Sequence, residues 1–222
     1  MHTLNTRKKI GFPEQRDHWV KAPAIYDDHT LRIAGHPVME DWEFGYMQKL
    51  AEIATSNQGR VLEIGYGLGL SAKAIQSHKF KSHFVIECHP DVIVRCIKDL
   101  CQAMNENRLH VLSGFWQDIT PCLEAKSFDG ILFDTYPLSE EEIHANHFWF
   151  FEEAYRLLKP GGVLTYYSDE ATGFSDLHLK KLQHAGFLKR NIQHVICDVD
   201  PPIDCEYWQA KTILAPIIRK GS

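Results

Sequence analysis

Three strand ends in this 222-residue chain carry groups that could hold a small cofactor and do acid–base chemistry. Asp134 closes the apolar run I-L-F and is followed by T-Y-P-L-S-E-E-E. A strand that stops at an acid and turns at a proline sets a carboxylate at its C-terminal edge, where open α/β sheets bind ligands. G-Y-G-L-G at 65–69 follows the apolar run V-L-E-I, and glycine there allows tight bending and close approach of a ligand. Glu87 ends the next apolar run, 22 residues after Gly65, near the spacing at which an acid meets a ribose diol. A carboxylate accepts both hydroxyl protons of such a diol. On residue type alone, Asp134 also fits a helix N-cap, Glu87 a solvated strand end, and the glycines a tight turn without ligand.

The glycine loop narrows the cofactor. The dinucleotide fingerprint needs glycine or alanine where this chain has Leu70, and no G-K-[ST] follows to make a P-loop.

Short strands alternating with helices must position these groups. Strands are predicted at 61–64, 83–87, 109–112, 130–134 and 163–167, with later ones near 190–198 and 206–215. Helices are predicted at 38–56, from Leu70 to Ser77, after Pro90, at 140–158 and near 175–185. In the first, Met39, Trp42, Tyr46, Leu50 and Ile53 recur every three or four residues. K-P-G-G at 159–162 is a strong stop signal for the fourth. The alternation implies a largely parallel sheet covered on both faces. Residues 1–35 read as polar and irregular, with lone aromatics at Phe12, Trp19 and Tyr26. One domain over 1–222 is expected, with an irregular N-terminal segment 1–37 lying over the site and an α/β core at 38–222.

Composition bounds the partners. A net charge of -5 argues against nucleic-acid binding by a basic surface. No apolar run approaches the roughly 20 residues that span a bilayer, and the N-terminus lacks a secretory apolar region. Six cysteines without a C-x-x-C fit scattered thiols in a reducing compartment, so a cytoplasmic protein is expected. His144 and His147 form H-x-x-H, but no further ligand cluster of recognised spacing accompanies them, and no metal is expected.

E-x-G-x-G-x-G, from Glu63 through Gly65, Gly67 and Gly69, together with the later Glu87, resembles the class I S-adenosylmethionine-dependent methyltransferases. A longer resemblance, from about Trp19 to Pro216, is to the guanidinoacetate N-methyltransferase family. It is carried by L-R-I-A-G-H-P-V-M-E-D-W-E, V-L-E-I-G-Y-G-L-G, I-L-F-D-T-Y-P-L-S-E-E, R-L-L-K-P-G-G-V-L-T-Y and P-P-I-D-C-E-Y. The amino-methylating DNA enzymes fit less well, since D-T-Y-P lacks their Pro-Pro pair.

The resemblance implies a Rossmann-like α/β fold: a seven-stranded methyltransferase sheet, helices on both faces, and an N-terminal lid segment. It implies S-adenosyl-L-methionine as cofactor and a small guanidino compound as substrate, guanidinoacetate first, giving creatine and S-adenosylhomocysteine. Arginine, agmatine, a protein arginine side chain, or a non-catalytic cofactor-binding role are the alternatives. By the same resemblance, Asp134 takes a proton from the guanidinium and Glu43 is a second carboxylate that holds it. A guanidinium is planar and cationic, and its fork of N–H donors suits two acids. The neighbours Glu40 and Asp41 leave the choice of Glu43 open. Trp19, Met47, Glu63, Gly65, Gly67, Gly69, Glu87, Trp116, Gln117 and Asp134 are implied at the cofactor, with Trp116 and Gln117 by the adenine. Tyr136 and His144 are implied beside the substrate. The family's substrate-carboxylate loop after the fifth strand reads here S-D-E-A-T-G. Asp169 and Glu170 would repel a carboxylate, accept an ammonium, or face solvent.

Overall fold

The computed structural model describes residues 11–13 and 15–221. The first ten residues of the expected N-terminal segment lie outside the described residues, as do Glu14 and Ser222.

The core strands are β4 (Arg60–Ile64), β5 (Ser82–Glu87), β6 (Leu109–Ser113), β7 (Phe128–Phe133), β8 (Leu158–Tyr166), β9 (Ile192–Asp198) and β10 (Thr212–Arg219). They form one sheet in the order β6-β5-β4-β7-β8-β10-β9, with β10 antiparallel to both of its neighbours. The five strands β4 to β8 pair in parallel. The order reverses between β4 and β7, so a crevice is expected beyond their C-terminal ends.

Period-two burial builds the core on both sides of this sheet. Val61, Val85, Leu132 and Val163 face one cluster, while Leu62, Ile64, Ile86, Ile131, Phe133 and Leu164 face the other. Each fully buried Leu, Ile or Val of this kind contributes about 1.5–3 kcal/mol. The first cluster packs under a helix of residues Phe44–Thr55, whose Tyr46, Met47, Leu50, Ala51 and Ala54 are buried. That helix lies hard on the sheet. A Cβ on Gly130 of β7 would meet the Ala54 carbonyl oxygen at 1.8 Å, so only glycine allows the approach.

Two expectations are corrected at the N-terminal side. Residues 16–40 are ordered, with helix α1 (Arg16–Lys21) and a three-stranded antiparallel sheet β1 (Ala24–Tyr26), β2 (Thr30–Ile33) and β3 (His36–Glu40). The helix expected from 38 begins only at Phe44, as α2 (Phe44–Thr55), because β3 and a 3-10 turn over Asp41–Glu43 precede it. The turn is held by a capping box: the Glu40 side chain accepts the Glu43 N–H while the Glu43 side chain accepts the Glu40 N–H. The E-x-x-E spacing carries that signal, but the apolar period runs straight through it.

The remaining helices are α3 (Leu70–Ser77), α4 (Pro90–Asp99), α5 (Cys101–Asn105), α6 (Trp116–Ile119), α7 (Asn146–Leu157) and α8 (Asp176–His184). The helix expected over 140–158 is shorter, and K-P-G-G lies within the extended run of β8. The last strand is displaced from 206–215 to 212–219, because the C-E-Y-W stretch is a loop.

β10 pairs with β8 only at Ile218 and Arg219. Beyond that, the Tyr46 hydroxyl lies between the Tyr166 and Leu214 carbonyl oxygens at 3.2 and 3.0 Å. The Ser168 hydroxyl donates to the Leu214 carbonyl at 2.7 Å. Side chains thus bridge the two strands here, joined by one backbone bond from the Leu214 N–H to the Glu170 carbonyl at 2.8 Å. Pro216, which has no N–H to give, sits in this stretch, where only β9 pairs with it. All six cysteines are free. No helix among the described residues is long and apolar enough to cross a membrane.

Candidate active site

A cavity of about 340 Å³ opens at the C-terminal ends of β4, β5, β7 and β8. The glycine loop forms its floor. The Gly65 N–H donates to the Ile86 carbonyl, and the Asp134 N–H donates to the Ile64 carbonyl, each at 2.9 Å. Gly65 has φ +88, and a Cβ there would meet the Asp134 carbonyl oxygen at 1.8 Å. The loop and the acid are therefore one unit: any side chain at 65 displaces the backbone that carries Asp134.

Asp134 lines the cavity. No helix starts there, since the next 3-10 turn begins at Glu140 with Ser139 as its cap, so the N-cap reading falls. The turn that follows Asp134 is pinned by Asn146, whose Nδ2 donates to the Thr135 carbonyl at 2.7 Å. It is pinned again by Glu142, which accepts the Leu138 N–H. Burial, then the negative charges of Glu63 and Asp169, push the Asp134 carboxyl up to about 7.

Glu43 is 2% exposed and lines the same cavity. Glu40 and Asp41 do not: Glu40 accepts the Trp42 indole N–H at 2.8 Å, and Asp41 pairs with His29 at 2.6 Å. Geometry thus separates the three acids that spacing left together. Glu43 Oε1 accepts the Glu40 N–H at 2.9 Å and the Tyr207 hydroxyl. Burial, then Asp134, push the Glu43 carboxyl up to about 8 against the lowering effect of those hydrogen bonds. Both acids are thus held toward neutrality, Glu43 by burial and Asp134, and Asp134 by burial, Glu63 and Asp169.

Glu87 is 8% exposed, not a solvated strand end. Its Oε2 accepts the Tyr66 N–H at 2.9 Å, and its Oε1 accepts the N–H groups of Cys88 and His89, both at 2.8 Å. A carboxylate has about four acceptor positions, so three such bonds still leave capacity at the cavity wall.

Trp116 and Gln117 also line the cavity. Trp116 is set edge-on against Phe133 and Phe150, at 5.8 and 5.2 Å between ring centroids. The Gln117 Oε1 is buried without a protein partner, so an adenine amino group fits there as a donor. With an acid at the end of β5, a glycine floor and this acceptor, the residues fit S-adenosylmethionine.

One side of the cavity is covered by α1. Trp19, 4% exposed, stacks on Tyr136 with centroids 5.2 Å apart and planes within 8°. Arg16 pairs with Asp118 at 2.9 Å, and the Ala22 carbonyl meets His89 Nε2 at 2.8 Å. The Tyr136 hydroxyl bonds His36 Nδ1 at 3.0 Å.

His144 and Asp169 both line the cavity and pair with each other at 3.1 Å. Both have left-handed backbone, φ +57 and +56. Their neighbours diverge. Glu170 lies outside the cavity lining, where it accepts the Ser175 N–H at 3.0 Å and faces His178. His147 is buried against Tyr166 and Phe148, and burial pulls it down to about 3. The two histidines of H-x-x-H therefore sit in different environments. Among the described residues no group of three metal-ligating side chains occurs.

Three expected cofactor residues lie behind the lining rather than in it. Met47 is fully buried in the core beneath α2. Glu63 is fully buried, paired with His83 at 2.9 Å and hydrogen-bonded by the Ser71 hydroxyl. Gly69 starts α3 and is crowded by the Tyr66 ring. Glu63 and Gly69 support the loop from below, and Met47 shares a buried cluster with Tyr66 and Leu68 of that loop. Conversely, Tyr207, Tyr167 and Met39 line the cavity without having been singled out. P-P-I-D-C-E-Y held the signal for Tyr207 and L-R-I-A-G-H-P-V-M-E-D-W-E that for Met39; nothing local marked Tyr167.

Comparisons with known proteins agree with this architecture. Spermidine synthase from Thermotoga maritima superposes with a TM-score of 0.64 at 17% identity, over 86% of this chain and 65% of that one. A spermidine synthase complexed with the transition-state analogue AdoDATO gives 0.66 at 17% identity, over 90% and 73%. These likenesses are of fold. Protein arginine N-methyltransferase 2 of Yarrowia lipolytica is 35% identical over 139 residues, 59% of this chain and 28% of that protein. Its Saccharomyces cerevisiae namesake is 30% identical over 160 residues, 68% of this chain and 37% of that protein. The chain thus spans about a third of the length of these relatives. The profile of one family, guanidinoacetate N-methyltransferase, matches residues 12–221, so it takes in the cover over the cavity as well as the sheet, and the chain belongs to that family.

Proposed function

We propose that this chain transfers a methyl group from S-adenosylmethionine to a guanidino nitrogen of a small molecule. The observation that carries the reading is the pair Glu43 and Asp134, a buried and a half-buried carboxyl that line one cavity and are both pushed toward neutrality. Such a pair is costly to ionise alone and is restored to its charged form by a cation between its members. A guanidinium supplies that cation, with N–H groups in the plane to reach both.

When bound, S-adenosylmethionine presents a methyl group on a positively charged sulfur. Glu87 would hold the ribose hydroxyls, with Gln117 and Trp116 at the adenine. Glu43 would fix the guanidinium plane through its second oxygen, since its known bonds fall on Oε1. Asp134 would accept the proton that the guanidino nitrogen loses as it is methylated. Of the expected lid over 1–37, α1 and the chain after it would cover the site, with the Trp19–Tyr136 stack closing one wall and excluding water.

Guanidinoacetate, after which the family is named, is the first substrate to test. Arginine and agmatine belong beside it because Asp169 lines the wall. A protein arginine is the second reading, favoured by the relatives named for that activity. The covered cavity supports the small molecule over an extended peptide.

Acid–base linkage supplies a test. Both carboxyls have folded-state values above their ordinary ones, so their contribution to stability is complete below about pH 4 and is lost as pH rises through about 7 and 8. A guanidinium binds the charged forms and pulls both values down. Affinity for a guanidino substrate in the presence of S-adenosylhomocysteine should therefore rise from pH 6 to pH 8, with protons released on binding. Calorimetry in buffers of different ionisation enthalpy reads that release. Affinity independent of pH, with no proton released, would remove the carboxyl pair from substrate binding.

A further inference from the structure

The segment between β9 and β10 enters the cavity by a route the reaction chemistry does not itself require. Cys205 and Tyr207, two apart, reach the two carboxylates of the capping box. The Cys205 thiol sits beside Glu40, and the Tyr207 hydroxyl donates to Glu43 Oε1. Glu206 between them pairs with Arg32 of β2 at 3.2 Å. The Tyr207 ring packs against Trp42, with centroids 5.9 Å apart. Cys205 and Tyr207 thereby tie this loop to the turn that carries Glu43, and Glu206 ties it to β2.

We propose that Tyr207 is a positioning residue for the methyl acceptor: by occupying Glu43 Oε1 it fixes that carboxylate and leaves Oε2 as the edge a guanidinium meets. This rests on the guanidino reading above. The capping box alone anchors Glu43 to backbone at one point, about which the carboxylate can still turn. A second donor on the same oxygen removes that freedom, and a bound planar cation gains from the fixed plane. The hydroxyl also favours the ionised form of Glu43, opposing burial. Asp134 from the end of β7, Glu40 from the same turn, Tyr167 after β8 and Tyr207 itself are the titratable groups around Glu43. Of these, Tyr207 is the side chain that donates a hydrogen bond to it.

Tyr207→Phe keeps the ring against Trp42 and removes only the donor. A hydrogen bond to a charged group implies that KM for the guanidino substrate rises about tenfold. The fall in kcat should be smaller, and affinity for S-adenosylhomocysteine should stay within about twofold, since a positioning contact acts on the acceptor alone. In the protein without substrate, the Glu43 carboxyl carbon followed by 13C NMR should titrate at a higher pH than in the wild type. An active variant with unchanged KM and unchanged Glu43 titration overturns the role of Tyr207 and leaves the guanidino reading intact. A wild type that methylates no guanidino compound overturns the guanidino reading and, with it, the acceptor role, whatever the titration shows. Should the variant fail to fold, the wild type carries the test: the Tyr207 Cζ resonance must shift through the Glu43 midpoint, and a Cζ that ignores that titration overturns the contact.

Discussion

Asp134→Asn is expected to lower turnover by about a hundred- to ten-thousandfold while leaving affinity for S-adenosylhomocysteine close to that of the wild type. Asparagine keeps the shape and can still accept one hydrogen bond, but it cannot take a proton from a guanidino nitrogen. The same substitution should not destabilise the fold at pH 8. The Asp134 carboxyl is pushed up to about 7 by burial and by Glu63 and Asp169, so its ionisation opposes folding. The wild type loses that contribution as pH rises from about 4 through 7, whereas the variant has none to lose. Stability relative to wild type should therefore move in favour of the variant between pH 5 and pH 8. Single-turnover kinetics and thermal unfolding at the two pH values read both effects. Retained turnover, or a variant much less stable at pH 8, would contradict the assignment. The opposite signs matter, because a residue that merely supports structure lowers stability and activity together.

Glu87→Ala carries the second large effect, and it acts twice. The carboxylate accepts three backbone N–H groups, from Tyr66, Cys88 and His89. Its removal leaves them without that acceptor at the hinge between the glycine loop and β5, at about 1–3 kcal/mol for each that water cannot reach. The ribose reading adds a loss of S-adenosylhomocysteine affinity of about tenfold or more, as expected for charge-assisted hydrogen bonds. Calorimetry at a temperature where the variant remains folded separates the two. Lower stability with unchanged affinity would make Glu87 a support for the loop and nothing else.

Much of this site is legible in the sequence because its key groups sit at strand ends. Asp134, Gly65 and Glu87 each follow an apolar run, and an apolar run bounded by glycine or acid identifies a parallel strand and its C-terminal edge. What the pattern hides has physical reasons. Met39 and Trp42 continue the apolar period of α2 backwards through β3 and the turn, because strand and helix bury the same face there. The E-x-x-E of Glu40 and Glu43 is the local sign that the helix starts later. Met47, implied at the cofactor by resemblance, lies on the buried face of α2 and outside the cavity lining. Glu170 follows a residue with left-handed backbone at Asp169, which turns the two adjacent acids apart, and no residue type there announces that turn. Tyr207 meets Glu43 across 164 residues, a separation at which no local pattern names the partner.

The chemistry assigned to Glu43 and Asp134 is tested most directly by the product. Purified protein is incubated with S-adenosylmethionine labelled in its methyl group and with guanidinoacetate, arginine, agmatine and an arginine-containing peptide in turn. Mass spectrometry then locates the label. A label on a guanidino nitrogen of a small molecule is expected, formed by the wild type and lost in Asp134→Asn. A label on any other atom, or a guanidino product formed equally well by Asp134→Asn, would contradict it.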